Sequence, residues 1–140
     1  MDLERFVLAQ DDHGTYDHAL AELRAGRKTR HWMWFVFPQV AGLGQTATSQ
    51  HYAIADVAEA RAYLDHCVLG PRLRVCCRAL LALEGVSAES VLGGVDAMKL
   101  RSSMTLFAQA APDEEVFTDV IDRFYDGEQD ERTVRLLAHH

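Results

Sequence analysis

The chain has 140 residues, 21 acidic against 14 basic side chains and a formal net charge of -7, with 49% hydrophobic and 25% charged residues. These are globular proportions, and the length suits a single domain, residues 1–140, around one core. The acidic balance argues against a general coat for DNA or RNA, which needs clustered lysine and arginine against phosphate, and a nucleic-acid binder keeps only the local basic cluster Arg24, Arg27, Lys28 and Arg30 in its favour.

Phe6 and Val7 belong to a short N-terminal helical segment, broken at Asp11-Asp12-His13-Gly14. Thr15 is predicted to N-cap a helix carrying Ala19, Leu20 and Leu23 on one side, with Gly26 as its stop. From His31 to Gln39 the chain holds six consecutive apolar residues, Trp32-Met33-Trp34-Phe35-Val36-Phe37, ended by Pro38. Periodicity cannot separate a buried strand from a buried helical turn over so short a run. No second strand is available to pair with it, so the helical turn is the better reading. Val40 to Ser49, with Gly42, Gly44, Gln45, Thr46 and Thr48, reads as a polar loop.

Asp56 and Glu59 have capping-box spacing ahead of a helix through Ala60, Tyr63 and Leu64. Pro71 suits the first turn of the next helix. There Leu73, Cys76, Cys77, Leu80 and Leu83 recur at helical spacing, Arg74 and Arg78 take another face, and Gly85 is the stop. Ser87 caps a single turn through Val91 and Leu92, ended by Gly93-Gly94, and Asp96 is placed as the cap of a longer helix with the stripe Leu100, Met104 and Phe107. Pro112-Asp113-Glu114-Glu115 opens a further helix, acidic at its start as the helix dipole prefers. Val116, Phe117, Val120, Ile121 and Phe124 are its apolar face, and Gly127 ends it. Asp130 begins a last short helix with Val134, Leu136 and Leu137, and His139 and His140 fall where helices fray.

The pattern predicts an all-α, mainly helical protein, a compact orthogonal bundle of about six to eight short helices. No apolar run nears the roughly 20 residues of a bilayer span. The first residues are charged rather than leader-like, and the odd set Cys67, Cys76 and Cys77 lacks metal-ligand spacing. A reducing, cytoplasmic setting is therefore expected. Cys76 and Cys77 are neighbours whose side chains diverge on a helix, so they read as small buried apolar groups rather than a disulfide.

Several segments in order resemble the bacterial family called domain of unknown function 1810. They are Arg5-Phe6-Val7-Leu8-Ala9-Gln10, His31-Trp32-Met33-Trp34-Phe35-Val36-Phe37-Pro38-Gln39, Gly42-Leu43-Gly44, Glu59-Ala60-Arg61-Ala62-Tyr63-Leu64, Leu69-Gly70-Pro71-Arg72-Leu73 and Lys99-Leu100-Arg101-Ser102-Ser103-Met104-Thr105-Leu106-Phe107. The resemblance implies a mainly helical fold and carries over no activity. Some members bear the label calpastatin, after a disordered inhibitor whose character this core-forming pattern does not share.

Gly42-Leu43-Gly44-Gln45-Thr46-Ala47 formally fits a dinucleotide-binding fingerprint with alanine in the third glycine place. Pro38 and several loop residues separate it from the apolar run, and no parallel strands follow, so a plain turn or a loop binding another anion fits better. On the helix after Asp96, Lys99, Ser103 and Leu106 share a stripe beside the core line. There the Lys99 stem can pack while its ammonium reaches a polar site, as an anion holder or an activator of serine. The plainer alternative is an Asp96–Lys99 surface pair, with the hydroxyls bonded one turn back.

His31 is a candidate general acid or base because imidazole titrates near neutrality, or else a structural hydrogen-bonder. Trp32 and Trp34 either stack on a flat ligand or fill core. Ser49, His51 and Tyr52 follow the glycine loop and extend its polar surface. No metal-ligand set and no cofactor signature is visible.

Two functions stay open. One is binding of a small anionic or nucleotide-like ligand in a pocket formed by the Gly42–Gly44 loop, His31 and the Lys99 helix. Its ligand-binding residues are Gln39, Gly42, Gly44, Ser49, Tyr52, Lys99 and Ser103, with His31 as the candidate catalytic residue. The other is a protein–protein interaction module that presents the Trp32–Phe37 run and has no small-molecule site. Convergence of the polar residues on a cavity favours the first, and an exposed aromatic run the second.

Overall fold

Helices of this length are marginal alone in water, so each must bury an apolar face against another. The computed structural model describes residues 2–138; His139 and His140 lie outside them. In chain order the elements are α1 (Glu4–Asp11), α2 (Thr15–Ala25), α3 (Met33–Val36), α4 (Ala47–His51) and α5 (Val57–Asp65), then α6 (Leu69–Leu81), α7 (Ala88–Leu92), α8 (Gly94–Ala110), α9 (Glu115–Tyr125) and α10 (Glu131–Ala138). Seven of these have eight residues or more, and α3, α4 and α7 are single turns of four or five. The fold is all-α, as the periodicity predicts, and the aromatic run takes the helical turn rather than a strand. No helix among the described residues is long and apolar enough to cross a membrane.

α8 is the central element. It packs on α5 and α9 and also meets α7 and α10, while α6 lies against α2, α5 and α9. Its stripe of Leu100, Met104 and Phe107 is fully buried. The Phe107 ring sits between Tyr63 of α5 and Phe117 of α9, with centroids 5.4 and 5.7 Å away. Burying each such aromatic contributes roughly 2 kcal/mol from area alone. α5 and α6 approach so closely that a Cβ on Gly70 would overlap the Leu64 carbonyl oxygen. Arg74 fixes the same corner, donating to that carbonyl at 3.2 Å and forking onto Glu114 at 2.6 and 2.9 Å.

Several caps differ from the sequence expectation. Gly14, in the left-handed region at φ 67°, caps α2, and Thr15 instead donates to the Asp12 carbonyl. Gly93, at φ 87°, lets α8 begin at Gly94, so Asp96 lies within the first turn and its carboxylate is free for other partners. α9 starts at Glu115 rather than Pro112, because Pro112 and Asp113 form a turn in which the Glu114 N–H donates to Ala111 O at 3.0 Å, and Glu114 itself is extended. α6 ends at Leu81, ahead of Gly85. Other signals match the structure: Asp56 Oδ1 accepts from the Glu59 N–H, Ser87 and Ser90 form a reciprocal capping box, and Gly26 closes α2 in the left-handed conformation. Glu59 completes its own cap one residue early, accepting from the Ala55 N–H.

Two features set up the site. An isolated parallel bridge pairs Val40 with Ile54 and pins both ends of the intervening loop; the Ala41 N–H donates to Ile54 O, and the Ile54 N–H to Gln39 O, both at 2.8 Å. The connection from α2 to α3 is organised by Glu22. Its carboxylate accepts from the N–H groups of Thr29 and Arg30, from the Trp32 indole and from the Arg30 guanidinium, at 2.7 to 3.0 Å. Burial pushes the Glu22 pKa up, but the four donors outweigh it and hold the group down at about 2.

Candidate functional site

A cleft of about 280 Å³ opens between the 39–49 segment and the first turns of α8. Gln39, Leu43, Gly44 and Ser49 form one wall, Val95, Met98, Lys99 and Ser102 the other. Trp34 reaches in from α3, and Asp130 and Arg132 close the end at α10. Four of the residues singled out in the sequence, Gln39, Gly44, Ser49 and Lys99, therefore meet across one space. Gly44 suits its position because a Cβ there would overlap the Ser49 hydroxyl and stand 2.5 Å from the Ser49 Cβ. Ser49 is itself fixed at the start of α4, where the Thr46 hydroxyl accepts its N–H at 3.1 Å.

Lys99 is held by two contacts. Its Nζ lies 4.3 Å from the centre of the Trp34 ring and 3.4 Å from Asp96 Oδ1. The Asp96–Lys99 pair of the plainer reading thus exists, but Asp96 is shared. Its other oxygen lies 2.8 Å from Lys28 Nζ, which in turn sits 5.2 Å from the Trp32 ring centre. Both lysines of the protein, each against one of its two tryptophans, converge on a single carboxylate. Two ammonium groups against one carboxylate leave an excess of one positive charge, while the Arg132 guanidinium is balanced by the Asp130 carboxylate in the same lining. Asp130, the remaining acid of the cleft, accepts from the Thr133 N–H and hydroxyl as the cap of α10.

The other expected residues lie elsewhere. Gly42 is exposed and does not line the cleft; at φ 103°, its carbonyl accepts from Arg132 at 3.4 Å and its Cα faces Leu136. Tyr52 turns inward to Phe35, with ring centroids 4.7 Å apart, and borders a separate groove beside Arg5 and His51. Ser103 is fully buried, and its hydroxyl has no partner among the described residues. The core face of α8 is wider than the Leu100–Met104–Phe107 line, which draws Ser103 inside and gives the cleft to Ser102. His31 is exposed and shares a different pocket of about 250 Å³ with His13, His18 and Arg30. The single turn of α3 follows Trp32, whose indole points inward to Glu22, and His31 just before it borders that pocket and not the cleft of Lys99.

Sequence reasoning missed Arg132, Val95, Met98 and the role of Lys28. Lys28 had a signal, being one of two lysines in an arginine-rich basic set. Arg132 had none, since its approach to Gly42 depends on how α10 docks.

The model of the family described as "Protein of unknown function (DUF1810)" matches residues 1–137. The chain belongs to the DUF1810 family. It is also similar to the conserved hypothetical protein Rv1873 from Mycobacterium tuberculosis, whose crystal structure is known at 1.38 Å, with 48% identity and a TM-score of 0.95. That likeness covers 98% of this chain and 96% of the mycobacterial one. No curated protein matches the chain. The cleft thus belongs to a DUF1810 fold shared almost end to end with a solved relative.

Proposed function

We propose that this protein binds a small anionic ligand in the cleft between Gly44 and Lys99. The observation that carries the reading is the excess of one positive charge there: Lys99 shares Asp96 with Lys28, and Arg132 and Asp130 face the same space. Charge-assisted hydrogen bonds from an ammonium and a planar guanidinium are the strong way to hold a carboxylate or phosphate group. Further donors line the wall. Neither the Gln39 amide nor the Gly44 N–H has a hydrogen-bond partner among the described residues. The reading is one of binding without a catalytic step, because the candidate acid–base residue, His31, stands in another pocket.

The interaction reading needs an exposed aromatic run. Trp32, Met33, Val36 and Phe37 are buried, and the half-buried Trp34 is covered by Lys99. No specific observation favours it.

Thermal denaturation with increasing sodium phosphate or sodium acetate, at constant ionic strength, tests the proposal. The wild type is expected to gain a saturable rise in Tm, and Lys99→Met, which keeps an apolar stem against Trp34, to lose it. An equal rise in both proteins, or no saturable rise in the wild type, overturns it.

A further inference from the structure

We infer that the guest of this cleft is an organic anion with an apolar or aromatic body, its charged end at Lys99 and Arg132 and its hydrocarbon along Val95 and Met98. The inference rests on the anion-binding reading above and deepens it. The large hydrophobic residues exposed among the described ones are Leu8, Val95 and Met98, and the last two, 70% and 72% exposed, both border this cleft. They stand three residues apart on α8, so they present one face, and Lys99 follows Met98 directly. Leu43 and Trp34, both half-buried, contribute apolar surface to the same space.

Scattered apolar side chains on a surface need no explanation. Here two of them border the same cleft as Lys99 and Arg132, where cations outnumber carboxylates by one. An inorganic anion would satisfy Lys99 and Arg132 and leave the apolar rim in water. A molecule with a short hydrocarbon or aromatic body covers both, and methionine, unbranched and polarizable, adapts to many shapes of such a body. The apolar contribution needs burial of only about two methylene equivalents to raise affinity about tenfold. Neutral apolar molecules would lack the charged anchor, which gives the site its selectivity for acids.

Isothermal titration with acetate, phenylacetate and neutral phenylacetamide, on the wild type and on the double variant Val95→Ser with Met98→Gln, tests the assignment. Both substituted positions are exposed, so the fold is retained, which circular dichroism checks. Phenylacetate is expected to bind the wild type at least about tenfold more tightly than acetate and phenylacetamide. The double variant should lose that preference while keeping its acetate affinity. If acetate and phenylacetate bind equally, the apolar body is irrelevant and this inference falls, while the anion site stands. Absence of binding by either acid overturns both. Phenylacetamide binding as tightly as phenylacetate also removes the charged anchor, and both claims with it.

Discussion

The Lys28 ammonium, only 7% exposed, lies 2.8 Å from the Asp96 carboxylate and joins the connection after α2 to the first turn of α8. The backbone reinforces this junction, since the Lys28 N–H donates to Val91 O at 2.7 Å. A mostly buried ion pair is held by its geometry, and removing one partner leaves the other charge desolvated. Lys28 also decides how much of Asp96 is left to Lys99.

Lys28→Met is therefore expected to act on stability and on binding together. Urea denaturation should show a loss of about 3 kcal/mol. With Asp96 released to pair fully with Lys99, phosphate affinity should fall although Lys28 does not line the cleft. A variant with wild-type urea midpoint and wild-type phosphate affinity would disprove the shared-carboxylate account.

Gly44→Ala tests the wall of the cleft. The new Cβ would collide with the Ser49 side chain, so the loop or the start of α4 must move, at a cost of about 1–3 kcal/mol. The clash is with a side chain, and adding Ser49→Gly should recover most of that loss. If the double variant is as unstable as Gly44→Ala alone, the collision is not the cause.

Glu22 governs behaviour in acid. Its folded pKa of about 2 lies below the ordinary 4.5, so the unfolded chain binds this proton more readily. Its contribution is complete above about pH 4.5 and is lost as pH falls towards 2. Glu22→Gln should lower stability near neutrality by about 2–3 kcal/mol and flatten the stability curve across that window. Urea melts at several pH values measure both. Parallel curves for variant and wild type would contradict the assignment.

Thiol chemistry gives a fourth expectation. Burial pushes Cys76 up to about 12 and Cys77 well above its ordinary value, whereas Cys67 is exposed. Ellman's reagent should modify Cys67 quickly in the native protein and reach Cys76 and Cys77 only in denaturant. Rapid modification of all three without denaturant would refute their burial.

Local signals carried most of the fold. Gly26, Asp56 and Ser87 mark helix ends because cap chemistry is written in one or two neighbouring residues. The start of α8 falls two residues before Asp96 because Gly93 takes a positive φ, and the Asp96 carboxylate then serves the distant Lys28, a partner that local cap chemistry does not reveal. The cleft was legible as far as it uses one loop and one helix: Gly44, Ser49 and Lys99 do face each other. His31 and Tyr52 were drawn in by nearness along the chain, yet a single turn of α3 and the packing of Tyr52 on Phe35 send them elsewhere. Ser103 shows a subtler limit, since a hydroxyl at helical spacing from the half-buried Lys99 lies just inside the core boundary.

The pairing of each lysine with one tryptophan has a practical outcome. Among ε-amines the protein offers only Lys28, shielded at 7% exposure, and Lys99, at 23%. Reductive methylation with isotope-labelled formaldehyde would place a spectroscopic reporter at the mouth of the cleft without mutagenesis. The neighbouring indole's ring current would shift its signal away from the bulk.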